Sequence, residues 1–264
     1  SKMIKAKKSL GQNFLIDQNI INKIVNLIDI KDKNILEVGP GTGNLTEKIL
    51  KKEPYNLLVV EKDFNLTKLL KEKFDNKIKI INDDILKVEE NSLSNEILTV
   101  YGNLPYNIST EILIKWILNL SEKKIWFNYL VLMFQKEVAD RIVSEFNTKN
   151  YGRLAILANW RLRVKKICDI PSSCFNPEPK VESTLLLFEP KINFVKFINP
   201  KNLEKVTRVF FMHRRKMIKK PFLKMFNNDK NLASKLGLDL ELRPQNLDFS
   251  TYFNITKEYE SLRS

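Results

Sequence analysis

Five short runs of strand-forming residues, NILEVG (34–39), NLLVVE (56–61), KIKIIN (77–82), ILTVYGN (97–103) and YLVLMF (129–134), are separated by stretches of helical spacing at 44–52, 63–74, 107–120 and 136–146. Strands that alternate with helices at this interval pair side by side through crossover connections. The pattern predicts an α/β fold, an open parallel sheet with helices on both faces. Ligands of such sheets bind beyond the carboxyl ends of the strands. Ahead of the alternation, DQNIINKIVNLIDI (17–30) sets Ile20, Ile21, Ile24, Val25 and Ile28 behind Asp17, the pattern of an amphipathic helix with an aspartate N-cap. After 150 the pattern changes. GRLAILANWRLRV (152–164) reads as a helix running into a strand, and VESTLLLFEP (181–190) as a late strand. Pro190 and Pro200 bracket a basic, apolar linker, and only short helical segments follow. The expected division is a ligand-binding domain over 1–190 and a small all-helical domain over 191–264.

A chain of 264 residues is long enough for a full core with a small appendage. Lys and Arg total 45 against 31 Asp and Glu, a formal charge of +14, and this favours a polyanionic partner, nucleic acid first, because each neutralised phosphate releases counterions. The alternative reading is that the Lys-rich composition reflects genome bias alone, which the many Ile, Asn and Lys residues support. Cys168 and Cys174 lack a metal-ligand spacing and His213 is the single histidine, so no metal site or disulfide framework is expected. Apolar runs are far shorter than the ~20 residues that span a bilayer. The basic start, SKMIKAKKSLGQNF, lacks an apolar signal core, and the chain reads as cytoplasmic.

EVGPGTGNLT (37–46) places Gly39, Gly41 and Gly43 where the first strand must turn into a helix. Glycine permits positive φ and lets a ligand approach the backbone. Glu61 ends the second strand at roughly the ~20-residue offset of a carboxylate that binds a ribose diol. The spacing is G-x-G-x-G rather than the G-x-G-x-x-G of dinucleotide binders. S-adenosylmethionine, a nucleoside cofactor without phosphate, suits it better. After the third strand, Asp83-Asp84-Ile85 offers a carboxylate for an adenine amino group and an apolar side chain for the ring. Taken singly, the turn also reads as purely structural, and Asp84 as a cap.

YGNLPYNIST (101–110) follows the fourth strand. Methylating the exocyclic amine of adenine requires acceptors for its N–H bonds, because the nitrogen lone pair is delocalised into the ring. The Asn103 side-chain carbonyl and the main-chain carbonyl of Pro105, held by proline's fixed φ, are candidate acceptors. Tyr106 offers a face on which an extruded base can stack, a contact worth ~1–3 kcal/mol. No strong base is needed, since the newly methylated nitrogen sheds its proton easily. Read structurally, N-L-P-Y is a turn that ends a strand and starts a helix.

Together SLGQNFL (9–15), EVGPGTGNLT, NLPYNIST and CFNPEPKVEST (174–184) resemble the KsgA-type family of small-subunit ribosomal RNA adenine dimethyltransferases, and FFMHRRKMIKK (210–220) resembles that family's C-terminal domain. The resemblance implies a Rossmann-like methyltransferase fold, S-adenosylmethionine as donor, and two adjacent adenosines near the 3′ end of small-subunit rRNA as target, met in a pre-mature subunit by a monomeric enzyme. It implies that Asn13 and Leu15 line the cofactor site with Gly39 and Gly41, that Glu61 takes the ribose and Asp84 the adenine, and that Asn103 bridges cofactor and amine. Phe175 would sandwich the target base against Tyr106. Glu178 departs from the family pattern, standing where many members carry a third proline. Lys5, Lys7 and Lys8, with Arg214, Arg215, Lys216, Lys219 and Lys220, are the expected RNA grip, although the second group also fits a solvated helix face. The rivals are the related large-subunit, antibiotic-resistance branch and a non-catalytic ribosome-assembly factor on the same fold. A nicotinamide-dependent oxidoreductase is disfavoured by the glycine spacing.

Overall fold

The computed structural model describes residues 6, 12–120 and 124–262. A two-residue strand, β1 (Phe14–Leu15), precedes α1 (Gln18–Val25), where the Asp17 carboxylate accepts the Ile20 N–H at 2.9 Å and Ile21, Ile24 and Val25 are buried. The alternation then follows: β2 (Asn34–Val38), α2 (Asn44–Lys51), β3 (Asn56–Val60), α3 (Phe64–Phe74), β4 (Lys79–Ile81), β5 (Leu98–Asn103), α4 (Ser109–Leu118) and β6 (Phe127–Gln135). Short α5 (Lys136–Ile142) and α6 (Arg153–Arg161) lead to β7 (Leu162–Ile170), the two-residue β8 (Phe175–Asn176) and β9 (Ser183–Pro190).

Seven strands form one sheet in the order β4-β3-β2-β5-β6-β9-β7. β2 runs parallel to β3 and β5, β3 to β4, and β5 to β6. Ile35, Leu36, Val59, Val100, Leu130 and Leu132 are essentially inaccessible. Strands covered on both faces read as continuous apolar runs, and each such side chain contributes ~1.5–3 kcal/mol of burial. The expected all-parallel sheet needs one correction. β9 pairs antiparallel with β6, with Leu132 opposite Leu186. It is reached from β7 through 171–182, which contains no α-helix, and a parallel neighbour requires a longer, usually helical, crossover.

The chain forms two compact units, one of residues 1–139 with 164–190 and the other of 140–163 with 191–264. A single boundary at 190 is therefore corrected: α6 groups with the C-terminal helices α7 (Lys201–Phe210), α8 (Lys219–Met225), α9 (Lys230–Lys235) and α10 (Phe249–Ser261). The cause is burial. Leu154, Ile156, Leu157 and Trp160 leave α6 without a polar face, and α7 and α10 pack against it. Trp160 donates its indole N–H to the Val195 carbonyl at 2.6 Å and packs against the Phe197 ring, tilted by 39° with centroids 5.3 Å apart.

Candidate active site

β2 lies between β3 and β5, so the strand order reverses there, and a cleft opens at the carboxyl ends of these three strands. β2 delivers the glycine turn. Gly39, Gly41 and Gly43 all have positive φ (68°, 57° and 92°). Close approach makes Gly39 obligatory, since a Cβ there would lie 2.6 Å from the main-chain oxygen of Asn103. A Cβ on Gly41 would lie 2.8 Å from the Phe14 ring. Beneath the turn the Glu37 carboxyl is buried, hydrogen-bonded by the Thr46 hydroxyl. Burial, reinforced by the charge of Glu61, pushes its pKa up to about 8.

β3 delivers Glu61, 8% exposed. Burial raises its pKa, opposed by the main-chain N–H groups of Asp63, Lys62 and Gly41, which point at the carboxylate. The Asp63 N–H donates at 3.0 Å, and Asn82 donates to the Glu61 main-chain oxygen at 2.9 Å. The carboxylate is thus fixed on the cleft wall with acceptor capacity to spare for a diol. Asp84 caps the turn at Ile85–Lys87, taking the Leu86 N–H on Oδ1 at 3.0 Å. Oδ2 lies 3.7 Å from the Lys62 ammonium. Asp84 is thus a cap, as its structural reading expects, and it also lines the cleft. Ile85 lies beside it in the wall, and its carbonyl accepts from Lys115 at 2.6 Å.

β5 delivers Asn103. Its Nδ2 donates to the Asn13 main-chain oxygen at 2.8 Å, which fixes the amide orientation and leaves Oδ1 without a hydrogen-bond partner among the described residues. Asn13 in turn donates through Nδ2 to the Pro177 carbonyl at 2.7 Å, and its own Oδ1 is buried with no donor. Pro105 lines the cleft with Asn107 and Ile108. Its carbonyl already accepts the Ile108 N–H at 3.1 Å, so only its second lone pair is available to a ligand.

Other expectations are corrected by the packing. β1 pairs antiparallel with β8, Phe14 opposite Asn176 and Leu15 opposite Phe175. Alternation along a strand sends neighbours to opposite faces. Phe14 faces the cleft, whereas the Leu15 side chain joins the core at 6% exposure. Leu15 contributes its main-chain oxygen, which accepts from Asn44 Nδ2 at 2.8 Å. Phe175 lies in the same core at 3% exposure, so its ring presents no face for a base. Tyr106 is half-buried on the Asn103 turn but does not line the cleft. The sandwich of Tyr106 and Phe175 is therefore not formed in this arrangement. Phe14 escapes a reading of the sequence, because a two-residue strand shows no period, and Asn44, the first residue of α2, gains its partner only from the distant Leu15.

Of the cationic residues, Lys5, Lys7 and Lys8 lie outside the described residues. Arg214 donates to the Lys149 carbonyl at 3.0 Å and stands over the Phe211 ring, so it also braces its own unit. Arg215, Lys216, Lys219 and Lys220 are exposed and line an open depression of that unit. Among the described residues no group of three His, Cys, Asp or Glu is placed to hold a metal ion.

The ribosomal RNA adenine dimethylase family matches residues 3–261. The chain belongs to that family. It is 64% identical over 260 residues, 98% of this chain and 99% of the other, to ribosomal RNA small subunit methyltransferase A of Pelagibacter ubique. Among solved structures it is similar to a dimethyladenosine transferase from Plasmodium falciparum, with a TM-score of 0.75 and 26% identity over 94% of this chain and 98% of that one. The 23S rRNA methyltransferase ErmE shares the fold at a TM-score of 0.67 and 21% identity, over 94% of this chain and all of that one. As a member of the dimethylase family the chain is an rRNA adenine dimethyltransferase that uses S-adenosylmethionine. The cleft fits that cofactor: a buried carboxylate for a ribose, a second carboxylate beside Ile85 for an adenine, and at the opposite end the buried acceptor Asn13 Oδ1, which lacks a donor that an ammonium group can supply.

Proposed function

We propose that this enzyme dimethylates the exocyclic amines of two adjacent adenosines near the 3′ end of small-subunit rRNA. The observation that carries the chemistry is the fixed amide of Asn103, with Nδ2 tied to Asn13 and Oδ1 free. The small-subunit target rests on the 64% identical relative, whose name specifies that subunit.

Bound S-adenosylmethionine supplies an electrophilic methyl group. Glu61 holds the ribose hydroxyls, Asp84 and Ile85 the adenine, and Asn13 with Gly39 and Gly41 the amino-acid end. Asn103 Oδ1 accepts one N–H of the target amine, and the second lone pair of the Pro105 carbonyl accepts the other. Held this way, the nitrogen lone pair turns out of the target ring toward the donor. Alignment of this kind supplies up to ~7–11 kcal/mol of barrier lowering. A neutral amide suffices because the methylated nitrogen loses its proton readily. Phe14, which faces the cleft, shields the site from water, and Tyr106 is the available stacking surface for the target base.

Arg215, Lys216, Lys219 and Lys220 contact rRNA phosphates in this reading. The enzyme acts as a cytoplasmic monomer on an incompletely assembled subunit. The test is methyl transfer from labelled S-adenosylmethionine to undermethylated small and large subunits, with mapping of the modified base. Label in small-subunit rRNA at adjacent adenosines is expected, and label in large-subunit rRNA alone would overturn the target. Asn103→Ala should abolish transfer while calorimetry shows cofactor affinity falling far less. Complete loss of cofactor binding would make Asn103 chiefly a cofactor ligand.

A further inference from the structure

The helical unit carries a depression of about 870 Å³ whose lining shares no residue with the methyl-transfer cleft. Its rim is cationic: Arg215, Lys216, Lys219, Lys220, Lys224 and Arg243. All six are exposed and none has an ion-pair partner among the described residues. Six exposed cations on one rim favour a polyanionic ligand. The floor differs from a merely solvated basic face. Met217 is 50% exposed and Leu223 lies beside it. Meanwhile Ile218, Phe222 and Phe226 point the other way into the core. The apolar side of α8 is thus already satisfied, and Met217 and Leu223 are apolar groups left over on the charged side.

The depression is also preformed. The Ile218 N–H donates to the Leu242 carbonyl at 2.8 Å, which ties the 215–218 turn to the segment bearing Arg243. At the far end Asn227 and Asn228 both hold positive φ, and the Asn228 N–H closes on the Leu223 carbonyl at 2.7 Å. Both asparagines line the rim, where their side-chain amides can donate and accept at the edge of a ligand.

We propose that this depression holds one unstacked nucleotide of the rRNA, with its base on Met217 and Leu223, its edge toward Asn227 and Asn228, and the flanking phosphates on the cationic rim. The inference rests on the rRNA reading and adds a second, non-reacting nucleotide subsite to it. A flat apolar group joined on both sides to phosphates matches an apolar floor ringed by cations. The volume falls within the ~300–1,000 Å³ of ordinary small-ligand sites. An acidic peptide would satisfy the rim and leave the floor bare.

The experiment measures binding of the full-length protein to a fluorescent single-stranded RNA and to the same strand with abasic positions, across a salt series. The intact strand should bind about fivefold or more tighter, the gain expected from burying roughly 40 Å² of apolar base surface on Met217 and Leu223. Met217→Ser should bring intact RNA down to the abasic level without changing cofactor affinity or thermal midpoint. Lys220→Gln with Lys224→Gln should flatten the salt dependence by about 0.7 for each phosphate that is no longer neutralised. Equal binding of intact and abasic strands, or an equal weakening of both on Met217→Ser, overturns the subsite even if the protein methylates small-subunit rRNA normally. Absence of methylation in either subunit overturns the parent reading and with it the rRNA origin of the nucleotide.

Discussion

Lys115→Met tests whether the cleft wall at Ile85 is held by one part-buried cation. The Lys115 ammonium has three protons, and three acceptors meet them: the Ile85 carbonyl at 2.6 Å, the Val88 carbonyl, and Glu90 Oε1 at 2.7 Å. Glu90 is 2% exposed. It also accepts the Trp116 indole N–H at 2.6 Å, and its Oε2 has no partner. Methionine retains the length and apolar stem of lysine but leaves a carboxylate buried with a single neutral donor. Removing one partner of a buried pair costs ~3–5 kcal/mol. The Lys115 side chain is 21% exposed, which places the cost near the bottom of that range, about 3 kcal/mol. For a chain of this size each kcal/mol lowers the thermal midpoint by ~2–4 °C, so calorimetry should show a drop of roughly 6–12 °C. Glu90→Gln alone should cost less, since Lys115 keeps both carbonyls. The double variant should cost less than the sum of the singles, because the second change removes the stranded charge. Cofactor affinity should fall in Lys115→Met, since Ile85 lines the cleft. A midpoint shift under about 2 °C, or strict additivity in the cycle, would refute the reasoning. A normal cofactor affinity in a destabilised variant would separate the clamp from the site.

Two further outcomes follow from the glycine turn and the carboxyl beneath it. Gly39→Ala must hold φ near +68° and place a Cβ 2.6 Å from the Asn103 main-chain oxygen. The left-handed conformation costs ~1–2 kcal/mol, and displacement of the β5 end should lower methyl transfer by ~100-fold; transfer within a few-fold of the parent would show that the strand ends are not mutually locked. Glu37 has its pKa raised from 4.5 to about 8. Between those values the folded state binds more protons than the unfolded state, so this carboxyl makes stability fall as pH rises, at about 1.4 kcal/mol per pH unit. Glu37→Gln should remove that slope, and denaturant titrations at several pH values should show the variant gaining on the parent toward pH 8. A gap that stays constant with pH would assign Glu37 a charge in the folded state.

The parts of this site that could be read from the sequence are those whose geometry is local. Gly39, Glu61 and Asn103 stand at the ends of strands whose apolar runs announce them, and Asp84 follows the end of β4 by three residues; a strand end in a sheet of this class is already a position in space. The four converge with no information beyond the order of the runs. The side-chain directions of Leu15 and Phe175 could not be read, for the opposite reason. Their strands are two residues each and pair across the chain, Leu15 with Phe175 and Phe14 with Asn176, so no periodicity marks which side chain faces inward. That pairing sends the Leu15 and Phe175 side chains to the core and Phe14 to the cleft. It also creates what no single segment contains: the carbonyl of Asn13 that orients Asn103, anchored in turn to Pro177. The amide that the NLPY motif supplies becomes a directed acceptor only through a residue 90 positions away. Asn13→Ala tests this, since the main-chain oxygen remains while the anchor to Pro177 is removed. Because the Asn13 side chain is also placed at the amino-acid end of the cofactor, the readout is the transfer rate at saturating S-adenosylmethionine: it should still fall with Asn103 intact, and a saturated rate unchanged from the parent would show that the β1–β8 pairing alone is enough to aim the amide.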